Sequence, residues 1–320
     1  MNAFPPTLAE FQHAASLLRN VIQPIPLVPL HRYQGDSDIL LKTEIHQPVH
    51  SFKIRGVWHA VASLDEQRRS AGVSTVSAGN TAQALAWAAH RFGIPARSLM
   101  PDSAPASKVE AVQAYGGEPV LVPVDELFRY LREHLWEHEP YTFIHPWTNR
   151  DVLVGHGTIG LEIHNEFPEV ETVLIPVGGG GLLGGVASAL KSLRPQVRII
   201  AVEPEGCPAL ARSLDAGKPV SVACNTICDG VAVPYITAEM FPLLQRLVDR
   251  VALVSEDDVR SAIQLLAIGN KMVAEPSGAL ATAAALALPR SERGLSVCLV
   301  TGGNLNPSAF ADIVTRGTPT

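Results

Sequence analysis

Cysteine is scarce in this chain: Cys207, Cys224, Cys228 and Cys298 are the only four in 320 residues. That excludes a small disulfide-stapled scaffold. Cys224 and Cys228 have no histidine placed to complete a zinc knuckle, so reduced, mostly buried thiols in a cytoplasmic protein are expected. Aromatics make up 6% of the residues, and no uninterrupted apolar run reaches the roughly 20 residues a membrane span needs. Met1-Asn2-Ala3-Phe4-Pro5-Pro6 has neither a basic segment nor an apolar one behind it, so no leader is expected. Excess positive charge is missing too. With 25 Lys and Arg against 31 Asp and Glu the net charge is −6, and no basic stripe points to nucleic acid or an acidic membrane. What remains is a globular chain, 47% hydrophobic, able to bury a sizeable core in one large or two ordinary domains.

The elements are readable from caps and periodicity. Thr7-x-x-Glu10 ahead of Phe11, Ala14, Ala15, Leu17 and Leu18 predicts a capped helix, ended by Pro24, Pro26 and Pro29. A short extended segment follows at 38–42, then a helix from Ser51 to about Arg68. Strands at 73–76, 97–100 and 118–122 alternate with helices at 80–92, 107–115 and 125–138. After a bridge rich in proline and aromatics (141–147), the pattern resumes. It gives a helix at 158–167, a strand at 173–177 running into glycines and a helix, and a strand at 197–202. Helices at 256–272 and 278–288 precede a last strand at 296–300. This alternation predicts an α/β fold of two open, mainly parallel twisted sheets with helices on both faces. With the bridge as a hinge, residues 1–50 and 149–320 form a large domain and 51–148 a smaller mobile one. The Lys53 segment could belong to either, and the ligand is expected in the cleft.

The most informative stretch is Val173-Leu174-Ile175-Pro176-Val177 followed by Gly178-Gly179-Gly180-Gly181-Leu182-Leu183-Gly184-Gly185. Consecutive backbone N–H groups without Cβ atoms can curl around an anion, and the helix behind them adds positive dipole character, so this reads as a phosphate cradle. Gly179-x-Gly181-x-x-Gly184 also fits the dinucleotide fingerprint, with Glu203 ending the next strand about 20 residues on. That reading leaves two segments unexplained. In Ser51-Phe52-Lys53-Ile54-Arg55-Gly56 a lysine sits among apolar neighbours at a helix start, where desolvation would make its amine a nucleophile. In Ser77-Ala78-Gly79-Asn80-Thr81 small hydroxyls and free N–H groups gather between strand and helix, either a plain N-cap turn or a carboxylate-binding loop. Thr301-Gly302-Gly303-Asn304 follows the last strand and could place a hydroxyl in the same cleft.

Together these segments resemble the fold-type II pyridoxal-phosphate enzymes, whose fold is that of the tryptophan synthase β subunit, and within them the threonine/serine dehydratase and serine racemase group. The resemblance extends to Ser107-Lys108-Val109, Tyr115-Gly116-Gly117, Gly155-His156-Gly157-Thr158, Glu203-Pro204, Asp229-Gly230 and Glu275-Pro276-Ser277-Gly278. It implies pyridoxal 5'-phosphate in the interdomain cleft, bound to Lys53 as a Schiff base. Phe52 would pack beside the ring and Asn80 would bond its hydroxyl. Gly178, Gly179, Gly180, Gly181 and Leu182 would hold the phosphate, and Thr301 would face the ring nitrogen. Ser77, Ala78, Gly79, Asn80 and Thr81 would bind the carboxylate of an amino-acid substrate. The implied activity is α,β-elimination of a β-hydroxy amino acid such as L-threonine or L-serine, by a homodimer or homotetramer. Runner-up substrates are bulkier (phenylserine or hydroxyaspartate type), and serine racemisation is the alternative reaction.

Some positions depart from the group. Racemases use a serine where this chain has Ala78, which removes the second base. Thr81 replaces the usual histidine and His156 a usual glutamine, so His156 is either structural or a substrate contact. Trp147 either packs the hinge or walls a pocket for a bulkier β-substituent. Relatives that bind a divalent cation do so through a residue matching Glu203, but the acid expected after it is absent, so a divalent or monovalent cation site would be weak or altered. No regulatory domain is expected after Thr301.

Overall fold

The structure, a computed structural model, describes residues 5–31, 38–77 and 79–315. Its strands are β1 (Val28–Pro29), β2 (Ile39–Thr43), β3 (Val73–Val76), β4 (Ala96–Pro101), β5 (Glu118–Val122), β6 (Thr142–Phe143), β7 (Thr172–Pro176), β8 (Arg198–Pro204), β9 (Arg250–Val254) and β10 (Ser296–Val300). The helices of the first half are α1 (Leu8–Leu18), α2 (Lys53–Ala62), α3 (Glu66–Ser70), α4 (Asn80–Phe92), α5 (Ala106–Ala114), α6 (Val124–Arg132) and α7 (Arg150–Glu166). Those of the second are α8 (Gly181–Leu193), α9 (Ala209–Ala216), α10 (Phe241–Leu247), α11 (Glu256–Gly269), α12 (Pro276–Ala287), α13 (Arg290–Arg293) and α14 (Pro307–Thr315).

The strands form two sheets, as the alternation predicts. One has the order β1-β2-β10-β7-β8-β9 and the other β5-β4-β3-β6. Every pairing is parallel except that of β1 with β2. In the six-stranded sheet, Val173, Ile175, Ile199 and Leu299 point into one apolar layer with Leu183 and Val186 of α8 and Leu244 of α10. Their neighbours Leu174, Ile200, Cys298 and Val300 point into the other, with Ile263 of α11 and Leu280 of α12. The period-2 alternation of a strand thus feeds two helical layers, which is why these strands read as unbroken apolar runs. In the smaller sheet, Val76 and Leu99 meet Leu127 and Leu131 of α6, while Val73 joins Leu85 of α4 and Val57 of α2.

The two sheets are joined through α7, which lies against α2, α1 and α8. A Cβ at Gly155 would stand 2.3 Å from the Arg55 carbonyl oxygen, and one at Gly157 2.2 Å from Phe11. The glycines therefore set how closely these helices approach. Beneath this seam Arg55 is fully buried. Its Nε lies 2.7 Å from Glu44, and its two terminal nitrogens lie 2.6 and 2.9 Å from Glu162, which also pairs with Lys42 at 2.6 Å. Every charge in this knot has a partner, the condition for burying it. It anchors α2, whose first residue is Lys53.

Several elements differ from the sequence reading. The helix expected from 158 starts at Arg150, capped by Asn149, because glycines that lower helix propensity are used here for close packing. The helix expected at 51–68 divides in two where Asp65 caps α3, and the one at 125–138 stops at α6, with His134 at φ 54 turning the chain. The expectation of four reduced thiols is corrected. Cys207 and Cys224 are joined in a disulfide, brought together by the Asn225 N–H donating to the Gly206 carbonyl at 2.9 Å; Cys228 and Cys298 are free and buried. No helix among the described residues is long and apolar enough to cross a membrane.

Candidate active site

A cavity of about 380 Å³ is lined from both sheets, within the range of small-ligand sites. It is where most of the sequence-predicted residues meet. Phe52, Lys53, Ser77, Gly79, Asn80, Thr81, Gly178, Gly179, Gly180, Gly181, Leu182 and Thr301 all line it. Ala78 lies outside the described residues.

Lys53 enters from the first position of α2. The segment before it is tied to the end of β10: Phe52 donates its N–H to the Thr301 carbonyl at 3.0 Å, and Ser51 pairs with Gly302. The amine lies 4.9 Å from the Phe52 ring centroid. Burial pushes its pKa down from 10.5 to about 8, partly opposed by the charge of Glu275. Part of the side chain stays accessible from the cavity. An amine held this way is neutral in a far larger fraction near pH 7 than an ordinary lysine, and the neutral form is a nucleophile and base.

The glycine loop runs from the end of β7 into α8. Gly180 adopts φ +92, which favours glycine, and a Cβ there would lie 2.5 Å from Leu244. At Gly179 a Cβ would lie 2.4 Å from Trp147. α8 has no side-chain cap and no acid in its first turn, and its first intrahelical bond joins Gly184 N–H to the Gly180 carbonyl. The N–H groups ahead of that bond are the ones a helix leaves without intrahelical partners, and they sit at the positive end of its dipole.

Asn80 is held from two sides. Its Nδ2 donates to Glu275 Oε1 at 2.6 Å, and its Oδ1 accepts from Asn304 Nδ2 at 2.9 Å. These bonds fix which end of the amide is donor. Glu275 is 2% exposed, its second oxygen has no partner, and it lines the cavity. Burial, with the nearby Asp229 charge, pushes its pKa up to about 7, while Lys108, Asn80 and Lys53 work against that. Gly79 N–H donates to Ser77 Oγ at 3.1 Å, closing the loop before α4. Thr301 is 4% exposed, its hydroxyl directed at the Ser277 carbonyl 3.5 Å away.

Two further residues considered from the sequence lie outside the cavity lining. His156 does not line the cavity. It is fully buried behind Phe52, ring centroids 4.7 Å apart, and both its nitrogens lack hydrogen-bond partners. Burial, with Lys53 and Arg55 close by, holds its pKa well below 6.5, so the ring is neutral packing. Glu203, considered as a cation ligand, has both oxygens engaged by the Leu210 and Ala211 N–H groups (2.7 and 2.9 Å) at the start of α9. Burial raises its pKa to about 7. Among the described residues, no group of three or more His, Cys, Asp or Glu side chains could hold a metal ion. Trp147 packs against the glycine loop and lines the cavity.

Sequence reasoning gave no role to Glu275, or to Lys108 and Asp229, which pair across the cavity from α5 to the turn at 229–231. All three lie in segments that carry the family resemblance, Glu275 just ahead of the proline that starts α12. The assembled site offers an activated amine, an anion cradle and an oriented amide in one partly apolar cleft.

Residues 18–302 match the family model described as pyridoxal-phosphate dependent enzyme. The chain is 38% identical to an L-threonine ammonia-lyase of Thermotoga maritima over 318 residues, 97% of this chain and 79% of that one. Among solved structures, maize serine racemase aligns with a TM-score of 0.88 at 31% identity, covering 97% of each chain. The processed form of threonine deaminase isoform 2 from Solanum lycopersicum aligns with a TM-score of 0.86 at 33% identity, covering 96% of this chain and 92% of that one.

Proposed function

The chain belongs to the family of pyridoxal-phosphate dependent enzymes, and from that premise we propose that it is an ammonia-lyase. It takes a β-hydroxy amino acid such as L-threonine or L-serine to a 2-oxo acid and ammonia. The observation that carries the reading is the Lys53 amine, drawn down to about 8, lining the same cavity as the glycine loop. Similarity to threonine ammonia-lyases over nearly the whole chain supports it.

The residues fit the cofactor. Trp147 and Leu244 leave no space for a Cβ at Gly179 or Gly180, so the loop presents bare N–H groups beside a lysine that nucleophilic chemistry can use. The loop and α8 would hold the phosphate, Lys53 the aldehyde carbon, Asn80 the ring hydroxyl, and Phe52 a ring face. When bound, pyridoxal phosphate supplies an electron sink for charge developing at the substrate Cα. Lys53 would take the α-proton, its pKa close to the working pH as an efficient base requires. Thr301 would face the ring nitrogen with a neutral hydroxyl, which favours loss of a β-group over build-up of charge in the ring. Ser77, Gly79 and Thr81 would orient the substrate carboxylate. Ala78 has no group able to carry a proton, which supports elimination over racemisation.

Purified holoenzyme given L-threonine or L-serine is expected to release ammonia and 2-oxo acid in equal amounts. Lys53→Ala should remove both turnover and the visible absorbance of the bound cofactor. Recovery of D-amino acid without ammonia, or full turnover by the lysine variant, would overturn the reading.

A further inference from the structure

The apolar side of the cavity has a sequence period of its own. Val124, Leu127, Phe128 and Leu131 recur at the i, i+3, i+4, i+7 spacing of one helix face. All four line the cavity, together with Trp147 and Val233. Leu127 and Leu131 are buried, Phe128 is half-buried, and the Phe128 ring meets Tyr235 edge-on at 6.1 Å. A stripe of this kind ordinarily closes onto a core. Here it also faces the opening that holds Lys53. Lys108, which lines the same cavity, is paired with Asp229.

We propose that this face of α6, with Trp147 and Val233, receives the β-substituent of the substrate, and that the preferred substrate is a β-hydroxy amino acid carrying an aryl group, with 3-phenylserine the simplest member. The inference rests on the lyase reading and deepens it. An aromatic ring offers a large apolar area to such a wall. A carboxylate at the same position would be desolvated against these apolar side chains, which disfavours a hydroxyaspartate-type substrate. A methyl or hydrogen, as in threonine or serine, would leave most of the wall without a partner.

The test compares kcat/KM of the holoenzyme for L-serine, L-threonine, 3-hydroxyaspartate and L-threo-3-phenylserine, following ammonia. Phenylserine should exceed threonine by at least about tenfold, the scale on which apolar pockets discriminate. Phe128→Asn should lower the phenylserine-to-threonine ratio about tenfold, and Phe128→Leu should largely restore it. Equilibrium titration of the holoenzyme with unreactive L-phenylalanine and L-alanine gives a second readout, with phenylalanine expected to bind at least about tenfold more tightly. Ammonia released best from threonine, serine or hydroxyaspartate would overturn this inference and leave the lyase reading intact. Ammonia from none of the four would sink the lyase reading, and the phenylalanine-to-alanine ratio would then decide the subsite alone.

Discussion

The strands that lead to the cavity from the two sheets are buried to different depths. In the six-stranded sheet, β7 and β10 are buried at every position. In the four-stranded sheet, β3 is equally buried, but β5 at its edge has no buried residue and α5 buries only Val112. The groups that need fixed geometry follow the first pattern. The glycine loop leaves the end of β7, Thr301 leaves the end of β10, and the Lys53 segment is bonded to that end. The residues assigned to a varying substrate side chain follow the second, on the helix after β5. Local opening costs least where few apolar contacts must be broken, so opening is expected to cost less at β5 and α5 than in the six-stranded sheet's central strands.

The contrast predicts where substitutions hurt most. Arg55→Met should be the most damaging, since it leaves Glu44, itself fully buried, without its guanidinium partner. A loss of about 3–5 kcal/mol is expected from denaturant titration, the cost of breaking a buried pair on one side. A loss under about 1 kcal/mol would mean that the anchor beneath Lys53 is dispensable. Next comes a matched pair of leucines. Leu299→Ala in β10, where the side chain is 0% exposed, should cost about 2–5 kcal/mol. Leu121→Ala in β5, 50% exposed, should cost no more than about 0.5 kcal/mol. Equal losses at the two positions would erase the difference between these strands.

Much of this arrangement is legible in the residues because it is local. Thr7 and Glu10 form the capping box that their spacing spells, and the tetraglycine run sits between strand and helix as its neighbours require. Two things were hidden, for different physical reasons. Gly155, Gly157 and Gly160 lower helix propensity in any local reading, yet they are helical, because α1, α2 and α8 press against them. The bond between Asn80 and Glu275 joins residues 195 positions apart, and nothing near either one marks the other. Trp147 shows the same limit. Its place between the bridge and Gly179 is set by contacts distant in sequence.

A subtler effect, seen only as a pH dependence, tests the cavity floor itself, where the two halves meet through Asn80 and Glu275. The groups facing this carboxyl are Lys53, Lys108, Asp229 and Asn80; burial, with the Asp229 charge, outweighs the other three in raising its pKa from 4.5 to about 7. The fold therefore prefers the protonated acid. Its contribution to stability is fully present below about pH 4.5, where the unfolded chain is protonated as well, and is lost as pH rises through about 7. Protein freed of cofactor should lose on the order of 2 kcal/mol across that window from this group. Glu275→Gln keeps an oxygen to accept from Asn80 but cannot ionise, so its urea midpoint should fall less between pH 5 and 7 than that of the unaltered protein. Parallel pH profiles for the two proteins would mean that Glu275 is ionised throughout, held by the lysines on either side. The junction would then owe its stability to charge, where the geometry assigns it to a hydrogen-bonded neutral acid.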